Sequence, residues 1–139
     1  MGRSLTKRFF VAFAVVSTMS GCALWDAFFM APYDANEYML ITEIRVDAGQ
    51  YREQCANPVL APANATAMVR KTNLYEKYSQ QIPRNENGYK SAQALNEIAQ
   101  GLNTAYVKGS VSATFCRLKY VSIENSATLI QRVTAGRPR

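Results

Sequence analysis

The run DANEYMLITEIRVDAGQYREQC, Asp34 to Cys55, carries the period of an amphipathic helix. Ile41, Ile44, Ala48, Tyr51 and Cys55 follow one another at steps of three, four, three and four, which lines them up on a single stripe of a 3.6-residue helix. Glu43, Arg45, Asp47, Arg52 and Glu53 all fall off that stripe, so burying it leaves the charges in water. The start is marked as well. Asp34-Ala35-Asn36-Glu37 has the spacing of a capping box, with Asp in the place of the more usual Ser or Thr, and Pro32 stands just ahead of it.

Downstream, Asn57-Pro58 and Pro62 mark a loop, because proline removes a donor and turns the preceding residue away from helix. A second helix is expected from Ala63 or Asn64 to about Gln81, where Pro83 stops it. Its apolar face is thinner, made by Met68, Leu74 or Tyr75, Tyr78 and Ile82. Arg70, Lys71 and Lys77 are mixed in, which predicts a more exposed element. Asn64-Ala65-Thr66 has the form of a glycosylation acceptor and is read here as a helix start. Arg84 to Gly88 reads as a polar turn. Leu95, Ile98, Leu102 and Ala105 then resume helical spacing, and a further stripe follows in Cys116, Tyr120, Ile123, Ala127 and Ile130. Gly101 and Gly109 each weaken this region by about 1 kcal/mol relative to Ala, leaving open one long helix or two joined near Gly109 and Ser110. The β propensity of Val111, Thr114, Phe115, Tyr120, Val121 and Ile123 makes a strand the alternative over residues 109–123. Ala135 to Arg139 reads as a helix stop with a basic tail at residues 136–139. The expectation is an all-α fold, a small antiparallel helical bundle or hairpin over residues 33–135.

Upstream, Arg3, Lys7 and Arg8 precede the apolar run Phe9 to Val16, too short to span a bilayer, and Met19-Ser20-Gly21-Cys22 closes it with small residues. That order is the order of a secretory signal. With a cysteine at the junction it resembles the lipobox of bacterial lipoproteins. The resemblance covers only these few residues and extends to no narrower family, although the overall character resembles that of small lipoproteins encoded by mobile elements. It implies removal of residues 1–21 and acylation of Cys22. Ala23 in the next position, in a Gram-negative host, implies the periplasmic leaflet of the outer membrane. Several acyl chains make such attachment stable, since each buried methylene contributes about 0.8 kcal/mol. Residues 22–32 form the anchor and a strongly aromatic stretch, with Leu24, Trp25, Phe28 and Phe29, that either rests in the membrane interface or folds back onto the domain.

With Cys22 given to lipid, Cys55 and Cys116 remain in an oxidising compartment, where a disulfide is the natural pairing and two buried thiols the alternative. In the chain-entropy picture such a bond is worth about 4 kcal/mol. Of the sixteen Lys and Arg, three lie in the signal. The remaining excess over ten carboxylates is small and scattered, which speaks against nucleic acid.

The chain has no His, and thus lacks the commonest general base and zinc ligand. Phosphate-cradling glycine loops and nucleophile elbows are absent too. Glu43 and Asp47 stand one turn apart, but beside Arg45 and Arg52 they read as a solvated face. No catalytic residue, metal ligand or cofactor is expected. Eight tyrosines are the remaining feature, and Tyr75 and Tyr78, on the helix with the thinner stripe, are the candidates for a surface that grips a protein partner. The expected function is a non-enzymatic, lipid-anchored envelope protein that binds a protein partner as part of an envelope assembly. An exclusion lipoprotein of a phage or conjugative element, and the outer-membrane subunit of a phage lysis spanin, are the alternatives.

Overall fold

The computed structural model describes residues 30–139; the lipobox, Cys22 and residues 23–29 of the aromatic stretch lie outside the described residues. Four helices follow in order: α1 (Ala35–Glu53), α2 (Leu60–Gln81), α3 (Glu86–Lys108) and α4 (Ala113–Ala135). Short connections return each helix antiparallel to the one before. The closest pairings are α1 with α4 and α2 with α3, and α1–α2 and α3–α4 contacts complete the ring. The fold is the expected all-α bundle, and the described residues contain no strand.

Local chemistry explains the boundaries. The Asp34 carboxylate accepts from the Glu37 amide at 2.8 Å, the first half of the expected capping box. The second half is missing, because the Glu37 side chain turns inward. α2 starts at Leu60, earlier than its sequence suggests. The Asn57 side-chain oxygen accepts from the amides of Val59 and Leu60, both at 3.0 Å. Pro62 falls in the first turn, where an amide would have no intrahelical partner anyway, so it is no obstacle. Ile82 is extended, as the residue before Pro83 must be. Gly109 to Ser112 separates α3 from α4, and Ser112 caps the latter by accepting from the Phe115 amide at 3.2 Å. Residues 91–134 therefore form two helices. The β propensity of 109–123 loses to tertiary packing, which buries Cys116, Tyr120 and Ile123 on one helical stripe.

That stripe meets Ile41, Ile44 and Ala48 of α1, Ala65, Met68 and Tyr75 of α2, and Ala92, Leu95, Ala99 and Leu102 of α3 in one core. The α2–α3 seam is partly polar. Thr72 donates to Asn96 at 2.9 Å and Asn96 donates to Glu76 at 2.6 Å, so the buried amide is satisfied on both sides. At the α1–α4 seam, Gln131 donates to Thr42 at 2.7 Å and Arg52 pairs with Glu124 at 2.7 Å.

Candidate functional site

The two ends of the bundle carry its distinctive chemistry. At one end, just past the last turn of α1, Cys55 is joined to Cys116 in the first turn of α4, with Cα atoms 5.7 Å apart. The expected disulfide is present, and it clips the closest helix pair. Around it Tyr51 and Tyr120 meet edge to face at 5.9 Å between centroids. The Tyr120 hydroxyl is buried without a hydrogen-bond partner among the described residues, as is that of Tyr106. Burial raises the pKa of Tyr120 above the ordinary phenol value.

At the other end, the start of α1, the end of α2, the α2–α3 turn and the C-terminus converge on Glu37. This carboxylate is fully buried. One oxygen accepts from Asn85 Nδ2 at 3.1 Å and, at 3.4 Å each, from the hydroxyls of Tyr75 and Ser79. The other oxygen is ion-paired with the guanidinium of Arg137. Arg137 also donates to Asn85 Oδ1 at 2.8 Å, and Asn85 Nδ2 reaches the Ser79 carbonyl at 3.2 Å. Every group in the cluster thus has a partner. That is the condition under which a buried charge pair is tolerated. Asn85 lies so close over the first turn of α3 that a Cβ at Gly88 would collide with its amide, which gives that glycine a packing reason.

Several expectations are corrected here. Tyr75 is 0% exposed, so it is no surface anchor. It points into the Glu37 cluster, and its pKa is raised by burial first and by the Glu37 charge second. Leu74, the neighbour weighed against it for the core, is the exposed one at 57%. Tyr78 is half-buried, its hydroxyl 3.0 and 3.1 Å from the Asp34 carboxylate oxygens and accepting from Asn36 at 3.2 Å. The basic tail is no free tail. Arg137 is buried, the Tyr33 amide donates to the Pro138 carbonyl at 2.8 Å, and Arg139 lies over the Tyr33 ring at 5.1 Å. Arg84 to Gly88 is only partly a turn, since α3 begins at Glu86 and Asn85 faces inward.

Glu43 and Asp47 do share a face, and Lys71 of α2 bridges them. Its ammonium pairs with Asp47 and lies 3.7 Å from Glu43. The hydrogen bond to Asp47 raises the Lys71 pKa. These acids hold α1 to α2. Among the described residues no three His, Cys, Asp or Glu side chains are grouped to hold a metal, and no helix is long and apolar enough to cross a membrane. A groove of about 360 Å³ opens beside the Glu37 cluster, between the start of α3 and the end of α4. No protein-family model, curated protein or solved structure matches the chain.

Proposed function

We propose that the chain is a non-enzymatic, lipid-anchored envelope protein that binds a protein partner, held through acyl chains on Cys22 at the periplasmic face of the outer membrane of a Gram-negative host. The observation that carries this reading is the Cys55–Cys116 disulfide, a bond that persists in the oxidising compartments to which a lipobox leads. The placement of the ionisable groups supports a role without catalysis. Glu37 accepts from four side-chain donors, Asp47 is paired with Lys71, which also lies 3.7 Å from Glu43, and Glu124 is paired with Arg52. Partner capture falls to the outer face of α2, where Leu74 stands exposed beside Arg70 and Lys71 around a shallow depression. Tyr78 contributes only an edge.

Labelling with a fatty-acid analogue in a Gram-negative host tests the anchor. The wild type should take the label and Cys22→Ala should not; equal labelling ends the reading. On the partner face, Leu74→Ala should weaken capture by about 1 to 2 kcal/mol without moving Tm, whereas Tyr75→Ala should lower Tm.

A further inference from the structure

We infer that the groove between α3 and α4 is the seat of the chain's own aromatic segment, Leu24 to Phe29. The groove is bounded by Gly88 and Ser91 of α3 and by Leu129, Ile130 and Val133 of α4, and Met30 forms part of its lip. Leu129 and Val133, one turn apart, are 64% and 52% exposed. They project an apolar edge beside a cavity whose floor is already closed by buried Ala31 and Ile130. Such an edge is incomplete as it stands.

Its occupant is argued from where the chain runs. Met30 is at the groove, so Phe29 is one peptide away and Phe28, Trp25 and Leu24 follow within six residues. Fully extended, six residues reach about 20 Å, short of the far end of a helix as long as α3, which spans about 34 Å at 1.5 Å per residue. The tether therefore holds four large apolar side chains close to this groove and away from the apolar residues at the other end, such as Val107. A short link of this kind gives an effective concentration of about millimolar, which a free partner has to overcome. Size agrees as well. About 360 Å³ lies in the range of small ligand pockets, enough for one or two rings that each bury about 150–250 Å².

Docking does not require acylation of Cys22. Its consequence for orientation does rest on the anchoring reading: with Cys22 in the membrane, a seated segment turns the Glu37 end toward the bilayer and presents the disulfide end outward.

Trp25 is the single tryptophan of the chain and reports its own surroundings. In full-length protein reconstituted into phosphatidylethanolamine–phosphatidylglycerol vesicles, its emission should be blue-shifted. Brominated acyl chains should leave it unquenched, and Leu129→Glu or Val133→Glu, both at exposed positions, should shift it red. Quenching by brominated lipid with no response to the groove substitutions would put the segment in the bilayer and overturn the proposal. A water-like emission in the wild type would overturn it equally. A trap gives a second readout. Phe29→Cys combined with Leu129→Cys should cross-link within one chain under mild oxidation, while Phe29→Cys with Val107→Cys should not. Equal cross-linking of the two pairs, or none in the first, contradicts a seat in this groove. The labelling of Cys22 is scored separately, so loss of the anchor and loss of the docking are distinguishable.

Discussion

The bundle closes its two ends by opposite means. At the Cys55–Cys116 end a covalent bond joins α1 to α4, the surroundings are aromatic, and the Tyr120 hydroxyl is left without a partner among the described residues. At the Glu37 end nothing is covalent. Four parts of the chain meet through charge and hydrogen bonds, with Arg137, 7% exposed, reaching in from the third-last residue. A disulfide acts mainly by restricting the unfolded chain, so its end does not depend on a network of polar contacts. A buried ion pair has no such reserve: removing one partner leaves a charge in low dielectric with nothing to compensate it.

The two ends should therefore fail differently. Deleting residues 137–139 strands Glu37 and releases Tyr33 from Pro138. It should cost about 3–5 kcal/mol in urea unfolding, the largest single effect. Cys55→Ser should come next, at about 2–4 kcal/mol, with the Glu37 end still ordered by NMR. Gly88→Ala tests how tightly the polar end is fitted. Its new methyl displaces the Asn85 amide from Glu37 and Arg137, which predicts a loss of about 1–3 kcal/mol.

The effect that vanishes at neutral pH should be common to both ends. Tyr75 and Tyr120 have folded-state pKa values raised above the ordinary 10.0, so the folded protein holds protons that the unfolded chain releases. Their contribution is intact below pH 10 and is lost as pH rises beyond it, by about 1.4 kcal/mol per pH unit for each ring. Tyrosinate absorbance of these two rings should appear only with unfolding. Its appearance in the folded protein near pH 10 would contradict their burial.

The disulfide end was readable in the sequence because its signals are local or unique. The 3-4 stripes of α1 and α4 point inward, and two cysteines remained once Cys22 was set aside. The polar end was not. Glu37 and Arg137 are 100 residues apart, Asn85 sits 48 from Glu37, and charged side chains are ordinarily exposed. Nothing in the local pattern distinguishes this Arg from the other cations of a basic terminus. The misplacement of Tyr75 has a similar cause. Leu74 and Tyr75 are adjacent, about 100° apart around α2, and where the apolar stripe is thin, polar neighbours such as Thr72 and Ser79 take core positions. Phase was then ambiguous by one residue. Pro62 misled for another reason, since at a helix start proline is compatible with the element it interrupts elsewhere.

A double-mutant cycle on Glu37 and Arg137 asks most directly whether the charges at this end serve structure and not chemistry. Glu37→Met, Arg137→Met and the double variant would be unfolded in urea side by side. Each single change should cost about 3–5 kcal/mol, because it leaves the opposite charge buried alone. The double change should cost less than either, since an apolar pair of similar volume removes both charges at once. Near-neutral single variants, or losses that simply add, would contradict a structural ion pair.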